Sequence, residues 1–302
     1  MTKLVAIDAG HGMKTDGKRT PKLKRDLIID GKVVRKKGEI IHEHEFNRAV
    51  AKYIAVGLAR HNINYMYTAD MKGNTDPALS TRSSRANRAK ADILVSCHYN
   101  AVGSCASFQT RVRGLLVLRT KNCSSKSIKL GNLVHKHLRA DCEYEYSYGL
   151  MRDVDMSGFT LAILRQTNMP AILIEYGFMD YEKEAVKMLD PKWQKQCAEA
   201  TVKGICEYFG IKYKPEETPK HPVEKPKKET EFEPYLIKIT EDTLNVRKGP
   251  GSEYDIAGVV KKGDAYTIVE EKKSKDGGKW GLLKAFKKER DGWINLKYTQ
   301  KK

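Results

Sequence analysis

Two histidines and two glutamates stand where their side chains could form a hydrolytic metal site. His11 follows the apolar run at residues 4–7, and His98 follows the apolar run at residues 93–97. Glu43 begins a segment with helical periodicity. Two imidazoles and a carboxylate, with a fourth position left to water, are typical of catalytic zinc because the carboxylate offsets part of the metal charge. We therefore predict that His11, Glu43 and His98 bind Zn²⁺.

Glu175 ends another apolar run, at residues 171–174. A buried carboxylate without a partner is costly, so its position at the end of a strand indicates a function. Beside a metal site, a carboxylate that is not a ligand can take a proton from water and pass it to a leaving amine. We predict that Glu175 is the catalytic carboxylate.

These four residues, taken one at a time, also fit simpler roles. His11 could be a turn residue between glycines, His98 could donate a hydrogen bond inside the core, and Glu43 could be an acid favoured by the helix dipole. Spacing does not exclude the neighbouring side chains as metal ligands, namely Glu39, His42, His44 and Glu45. A thiol hydrolase using Cys97 and His98 is a further alternative, which we disfavour because adjacent strand residues point to opposite faces.

The elements that would position these residues alternate between strands and helices. Strands are predicted at residues 4–8, 63–68, 93–97, 114–119 and 171–175, and helices at 43–58, 80–91, 127–140 and 194–209. This alternation predicts an α/β fold with a mostly parallel twisted sheet flanked by helices. Ligand-binding residues of such sheets gather at the carboxyl ends of the strands.

The chain is predicted to contain two domains, which its length of 302 residues allows. A catalytic domain spans residues 1–211, a proline-rich charged linker spans 212–234, and a small all-β barrel spans 235–302. Within the first domain, a basic insertion at residues 13–38 contains a hairpin at 27–34 around Asp30-Gly31. The sequence leaves the role of this hairpin open.

The net charge of +18 and the pI near 9.5 suit a polyanionic partner such as an anionic cell wall. The sequence has no Cys-His finger, RNP-type aromatic stretch or recognition helix, so we expect no nucleic-acid partner. No apolar stretch approaches the roughly 20 residues that span a bilayer, so we expect no membrane insertion. The N-terminal apolar run is too short for a signal peptide, which predicts synthesis in the cytoplasm and action on the wall after release.

Five ordered motifs resemble the catalytic domain of the type-3 N-acetylmuramoyl-L-alanine amidases over about residues 1–210. They are Ile7-Asp8-Ala9-Gly10-His11-Gly12, Glu43-His44-Glu45-Phe46-Asn47, Leu79-Ser80-Thr81-Arg82-Ser83-Ser84-Arg85-Ala86-Asn87, Ser96-Cys97-His98-Tyr99-Asn100-Ala101 and Pro170-Ala171-Ile172-Leu173-Ile174-Glu175-Tyr176-Gly177-Phe178. The resemblance implies that His11, Glu43 and His98 hold zinc and that Glu175 is catalytic. The resemblance implies that the third metal ligand is Glu43, rather than Glu45 or one of the neighbouring histidines.

The chain also departs from this family. The interval from His11 to Glu43 is longer than expected, and Cys97 and Tyr99 replace the more usual Ile and Ala around His98. Arg165 resembles part of the family's substrate-side segment and is a candidate for binding a stem-peptide carboxylate. A surface arginine without that role is the alternative.

The C-terminal region resembles a bacterial SH3-like wall-binding module. The resemblance lies in Leu244-Asn245-Val246-Arg247-Lys248-Gly249-Pro250-Gly251-Ser252, Val260-Lys261-Lys262-Gly263-Asp264, Lys279-Trp280-Gly281-Leu282 and Gly292-Trp293-Ile294. Tyr254, Trp280 and Trp293 are candidate wall-binding aromatics, with barrel packing as the alternative for the tryptophans. The implied task is to hold the enzyme on peptidoglycan.

Together these features predict a zinc amidase that cuts the bond between muramic acid and the L-alanine of the stem peptide. The absence of an export signal favours a phage endolysin acting on a Gram-positive wall. A host autolysin of the same activity and a non-catalytic wall-binding protein are the alternatives. The sequence leaves the target species, the preferred cross-link and the oligomeric state open.

Overall fold

A computed structural model describes residues 2–216, 233–274, 277–287 and 290–301. The chain divides into two compact units, Met1–Glu217 and Thr218–Lys302. The strands of the first unit are β1 (Leu4–Ala9), β2 (Leu27–Ile29), β3 (Lys32–Arg35), β4 (Asn64–Tyr67), β5 (Ile93–Asn100), β6 (Leu115–Arg119), β7 (Ser147–Arg152) and β8 (Ala171–Phe178). Its helices are α1 (Glu43–Arg60), α2 (Leu79–Arg88), α3 (Ser125–Asp141), α4 (Asp153–Ser157), α5 (Ala162–Arg165), α6 (Glu182–Ala185) and α7 (Pro191–Phe209).

The central sheet of the first unit has the strand order β4-β1-β5-β8-β6-β7. Strands β4, β1, β5 and β8 are parallel, β6 is antiparallel to β8, and β7 is parallel to β6. The predicted α/β fold with a mostly parallel sheet is therefore confirmed. The reversed direction of β6, and strand β7 itself, were not predicted because strand periodicity carries no information about direction and β7 is only half-buried.

Alternation along the strands divides the apolar side chains between two faces of the sheet. Val5 and Ile7 of β1 pack in the larger core cluster with side chains of α1, α3 and α7. Ala6 packs on the other face, with Leu94, Leu173 and the short helix α5. This second cluster is smaller than the first and also includes Ala86 of α2.

Helix α1 begins at Glu43 because the side chain of Glu45 accepts a hydrogen bond from the backbone N–H of His42 at 2.9 Å. The helix buries Val50, Ile54 and Leu58, which recur at helical spacing, in the larger core cluster. Burial of this stripe fixes the rotation of the helix, so that Glu43 is buried as well.

The basic insertion contains the expected hairpin of β2 and β3. Asp30 and Gly31 form its turn with φ values of 47° and 78°. Such positive φ values suit a two-residue hairpin turn, for which Asp-Gly is a favoured pair.

The second unit is an all-β domain. Its strands are β9 (Tyr235–Ile239), β10 (Thr243–Arg247), β11 (Ile256–Lys261), β12 (Ala265–Lys273), β13 (Lys279–Lys287), β14 (Arg290–Asn295) and β15 (Thr299–Lys301). Neighbouring strands pair antiparallel in the order β11-β10-β14-β13-β12-β9-β15 around a small apolar cluster that includes Val246, Ile268 and Ile294. This confirms the expected small β domain.

The first residues of the predicted linker pack on the first unit. Tyr213 stacks on His61 with ring centroids 5.2 Å apart, and the backbone N–H of Lys214 donates to Nε2 of His61 at 2.7 Å. The ring of Tyr213 against the buried His61 gives this segment an anchor that proline content alone did not reveal. The rest of the predicted linker, residues 217–232, lies outside the described residues.

Among the described helices, none combines the length and apolarity needed to cross a bilayer.

Candidate metal centre

Two residues of the candidate site, His98 and Glu175, project from one face of the sheet together with Asp8. By strand alternation, Asp8, His98 and Glu175 lie on the face of Ala6, Leu94 and Leu173, and the pairing of β5 with β8 places His98 beside Glu175. Arg82 of α2 contacts the carboxyl end of β1 on this side, where it donates to the carbonyls of Ala9 and His11. A small cleft of about 240 Å³ reaches His11 and His98 there.

His11, Glu43 and His98 converge at this edge of the sheet. Nε2 of His11 lies 3.3 Å from Oε2 of Glu43, and Nδ1 of His98 lies 3.0 Å from Oε1 of Glu43. One ligand atom from each residue can be chosen so that all three lie within 4.8 Å of one another. Ligands of a tetrahedral zinc ion are separated by roughly 3.4 Å, so this spacing fits a zinc ion after small adjustments.

Glu43 is held in place from several directions. Its Oε1 accepts hydrogen bonds from the backbone N–H of Tyr99 at 3.0 Å and from Nδ2 of Asn47 at 3.1 Å. Asn47 lies one helical turn after Glu43 on the same face of α1. The backbone N–H of Glu43 in turn donates to the carbonyl of Lys18 at 2.9 Å. These contacts fix the carboxylate without a metal present.

The turn that carries His11 is fixed by a buried arginine. Arg82 is 1% exposed and donates to the carbonyl of His11 at 3.0 Å, to the carbonyl of Ala9 at 2.8 Å and to Oδ1 of Asp8 at 2.8 Å. It also donates to Asp76 and to the carbonyl of Pro77. His11 itself has a φ of 62°, an uncommon value for a residue other than glycine, and these bonds stabilise that conformation.

Gly10 allows the two histidines to approach each other. A Cβ atom at Gly10 would lie 2.2 Å from the ring of His98, so no side chain fits there. The rings of His11 and His98 meet edge to face with their centroids 4.9 Å apart.

The environment separates the pKa values of the three candidate ligands. Burial lowers the pKa of His11 to about 4, which favours the neutral imidazole that binds metals. Burial alone would raise the pKa of Glu43, but His11 and the hydrogen bond with His98 hold it well below its usual range. Burial would lower the pKa of His98, and the hydrogen bond with Glu43 outweighs it and raises that pKa.

Glu175 lies beside this cluster with one oxygen unpaired. Its Oε2 is buried and has no hydrogen-bond partner among the described residues. Burial raises the pKa of Glu175 to about 7, the Glu43 carboxylate adds to the effect, and His98 and Lys18 oppose it. A carboxyl group with this pKa can accept and release a proton near neutral pH.

The comparison with known proteins decides the family. Residues 5–207 match the N-acetylmuramoyl-L-alanine amidase family, and residues 242–300 match the bacterial SH3 domain. The chain belongs to the N-acetylmuramoyl-L-alanine amidase family. The amidase is thus a peptidoglycan hydrolase joined to a bacterial SH3 domain, as its sequence motifs predicted.

Relatives and solved structures agree with this assignment. The endolysin of Bacillus phage SPP1 is 29% identical over 216 residues, which cover 71% of the amidase and 69% of the relative. The catalytic domain of CwlV, an N-acetylmuramoyl-L-alanine amidase from Bacillus (Paenibacillus) polymyxa, is 26% identical with a TM-score of 0.54 and covers 70% of this chain and all of that one. An N-acetylmuramoyl-L-alanine amidase from Clostridium difficile 630 is 26% identical with a TM-score of 0.56, covering 70% and 98%.

Three of the four alternative metal ligands of the amidase make polar contacts elsewhere, whereas Nδ1 of His42 is buried without a hydrogen-bond partner among the described residues. Nδ1 of His44 is 2.8 Å from the carbonyl of Gly10, Glu45 pairs with Arg35, and Glu39 accepts from the backbone N–H of Lys36. Of the residues that the structure describes, only His11, Glu43 and His98 form a group of three potential ligands. The alternative nucleophile Cys97 is fully buried in the core, and burial raises the pKa of its thiol.

The remaining candidates do not join this cluster. Arg165 lines a separate cleft beside Pro170, at the start of β8, whereas Glu175 lies further along the strand. Trp280 and Trp293 are 5% and 8% exposed, while Tyr254 is 42% exposed. Among the three aromatic wall-binding candidates, Tyr254 therefore offers the most accessible ring.

The sequence interpretation missed several residues that support the site. Asn47 could have been found from its spacing of four residues after Glu43. Arg82 stands in a quoted motif, but its burial against the His11 turn follows only from the tertiary structure. Lys18 and Tyr99 contribute backbone groups, and the residue type does not indicate which backbone groups will form hydrogen bonds.

Proposed function

We propose that this amidase is zinc-dependent and hydrolyses the amide between muramic acid and the L-alanine of the stem peptide. The observation that carries the proposal is the convergence of His11, Glu43 and His98 beside the unpaired Oε2 of Glu175. Two imidazoles and one carboxylate are a zinc ligand set that leaves a position for substrate or water. A bound zinc ion would supply Lewis-acid activation of water and of the amide carbonyl.

In this proposal Glu175 moves the proton. Its unpaired Oε2 takes the proton from the attacking water and returns it to the departing alanyl nitrogen. The raised pKa of Glu175 suits both steps, because the group must be a base first and an acid afterwards. Buried hydrogen bonds to Glu43 hold the neighbouring carboxylate in place, so that Glu175 is the one free to exchange a proton.

The biological setting is proposed from the second unit and from the relative. The bacterial SH3 domain would hold the enzyme on peptidoglycan and raise its local concentration there. The similar endolysin of a Bacillus phage supports an endolysin that is made in the cytoplasm and acts on a Gram-positive wall after release. A host autolysin would have the same chemistry.

Wall digestion tests the reaction and the metal together. We expect purified walls to yield new N-terminal L-alanine, activity to disappear with a chelator, and zinc to restore it. Iodoacetamide should have no effect. New reducing sugar ends without new N-terminal alanine would show a glycosidase and refute the proposal.

A variant tests the role of Glu175. Glu175→Ala should reduce hydrolysis at least about 100-fold, because proton transfer contributes that much or more. Wall binding and zinc content should remain at the wild-type level. Undiminished hydrolysis would refute the assignment.

A further inference from the structure

We call His11, Glu43 and His98 the metal cluster. A second, larger cleft lies on the first unit outside this cluster. It has a volume of about 820 Å³, compared with about 240 Å³ for the cleft at the cluster. One wall comes from the basic insertion and the other from the segment before β6. We call it the basic cleft, and the residues used here are Arg19, Lys22, Lys24, Arg35, His42 and Phe108.

The two walls of the basic cleft are tied to each other. Nη1 of Arg19 donates to the carbonyl of Cys105 at 3.2 Å, across the cleft from the insertion. Nζ of Lys24 lies 5.6 Å from the ring centroid of Phe108 and pairs with Glu182 at 3.1 Å. These contacts hold the cleft open in a defined shape before any ligand binds.

The cleft carries more positive charge than its acids neutralise. Its lining includes four cationic side chains and one carboxylate, that of Glu39. Arg35 pairs with Glu45 and Lys24 pairs with Glu182. Arg19 and Lys22 have no ion-pair partner among the described residues, and after the Glu39 carboxylate is counted the cleft has one positive charge in excess.

Backbone hydrogen bonds connect residues at the basic cleft to the segment that carries Glu43. Arg19 forms an isolated antiparallel bridge with His42, which lines the cleft and directly precedes Glu43. The carbonyl of Lys18 accepts the backbone N–H of Glu43 at 2.9 Å. A ligand in the basic cleft would therefore lie beside the start of the helix that supplies a candidate metal ligand.

We propose that the basic cleft binds a carboxylate of the stem peptide and positions the peptide for hydrolysis. This rests on the amidase function proposed above. The carboxyl group of the muramic acid is consumed in the scissile amide, so the glycan is neutral there and the free carboxylates belong to the peptide. Arg19 and Lys22 supply charged donors, and the ring of Phe108 supplies an apolar wall for the alkyl part of the peptide.

A pair of substrates separates carboxylate recognition from general binding. Soluble glycan strands with uncross-linked stem peptides are prepared with the peptide carboxylates free or converted to carboxamides. Wild-type protein and the Lys22→Ala and Lys22→Glu variants are compared on both. Lys32→Ala is the matched control, because Lys32 is an exposed lysine of the same insertion that does not line the cleft.

Lys22→Ala should raise KM for the carboxylate substrate about tenfold, as expected for one charge-assisted contact, with little change in kcat. Lys22→Glu should raise KM for the carboxylate substrate further. Neither variant should alter KM for the carboxamide substrate, and Lys32→Ala should match the wild type on both. Thermal unfolding of each variant checks that the fold is intact.

Three results would overturn the proposal. They are an unchanged KM in both Lys22 variants, an equal loss on both substrates, and a loss confined to the binding of whole walls that disappears once wall phosphate polymers are removed. The last would identify a phosphate polymer as the ligand. Failure of the wild type to release N-terminal alanine from either substrate would instead refute the amidase function itself.

Discussion

In the proposed mechanism, Glu175 is costly for the fold and useful for the reaction. Its Oε2 is buried without a partner, whereas the neighbouring Glu43 carboxylate accepts hydrogen bonds from a backbone amide and a side chain. The pKa values of the two carboxyl groups shift in opposite directions, because burial raises that of Glu175, whereas for Glu43 the effect of burial is outweighed by His11 and by the hydrogen bond with His98. Such a difference between adjacent acids supports the proposal that Glu43 holds charge and Glu175 exchanges protons.

The cost of Glu175 should be measurable in the metal-free protein. The pKa of Glu175 is about 7 in the folded state and lies near its ordinary value of 4.5 in the unfolded chain, so the carboxyl group is neutral in both states at low pH. As the pH rises from about 4.5 to about 7, the unfolded chain ionises first and the fold is progressively destabilised, and the full cost remains above pH 7. Glu175→Gln should therefore raise the free energy of unfolding at pH 8 by about 2 kcal/mol relative to its effect at pH 4. Denaturant unfolding with a chelator present measures the free energy of unfolding at the two pH values. The exposed Glu143→Gln variant is the matched control, and an equal effect of Glu175→Gln at both pH values would contradict the argument.

Gly10 provides a second test at the residue scale. Gly10→Ala places a methyl group 2.2 Å from the ring of His98, so the ring must move away from Glu43. We expect zinc affinity to fall at least about tenfold, because displaced ligand geometry weakens metal sites. Equilibrium competition with a zinc indicator gives the affinity. Gly103→Ala is the control, since its added methyl group meets open space, and equal affinities in the two variants would exclude a packing role for Gly10.

At the scale of elements, helix α2 fixes the end of β1. Arg82 crosses from α2 to the backbone of Ala9 and His11 and to the side chain of Asp8. Burial alone would raise the pKa of Asp8, but the Arg82 guanidinium outweighs it and lowers that pKa. The ion pair and the His11 turn are therefore parts of one buried network, and the helix transmits its position to the metal cluster.

Removal of this arginine should damage stability and metal binding together. Arg82→Gln leaves Asp8 as a buried charge without its cation, which costs about 3–5 kcal/mol near neutral pH. Zinc affinity should also fall about tenfold, because the carbonyl of His11 loses its donor. Urea unfolding and zinc competition measure the two effects. The exposed Arg88→Gln variant on the same helix is the control, and a loss of stability with unchanged zinc affinity would limit Arg82 to a structural role.

At the scale of the whole molecule, the chain combines a catalytic unit with its own core and a small β domain with another. The first unit includes residues up to 216, where Lys195 pairs with Glu216. The net charge of +18 adds a long-range attraction to an anionic wall that salt screens. Binding to the wall and hydrolysis should therefore be separable.

Residues 1–216 alone should test that separation. We expect this fragment to fold and to cut soluble glycan strands with the kcat/KM of the whole chain. Its lysis of intact walls should be slower by at least about 100-fold, because the tether that raises local concentration is lost. The activity of the whole chain on walls should fall more steeply with salt than its activity on soluble strands. A fragment that lyses walls as fast as the whole chain would contradict a tethering role for the bacterial SH3 domain.

Much of the architecture followed from local patterns in the sequence. The helix of Glu43 and the strands near His11 and His98 were predictable because each buries a stripe or run of apolar residues. The strand predicted to end before His98 in fact continues through it to Asn100. The Asp30-Gly31 turn was predictable because few other pairs adopt its positive φ values without strain. The family followed from five motifs in order, which the match over residues 5–207 confirmed.

The tertiary structure decided what depends on distant parts of the chain meeting. Competition among His42, Glu43, His44 and Glu45 could be resolved from a resemblance but not from spacing, because all four lie within one helical turn. The rotation of α1, set by the burial of Val50 and Ile54, is what brings Glu43 to His98. The Arg82 network, the reversed β6 and the basic cleft likewise arise from contacts between segments far apart in sequence, which residue patterns within one segment do not encode.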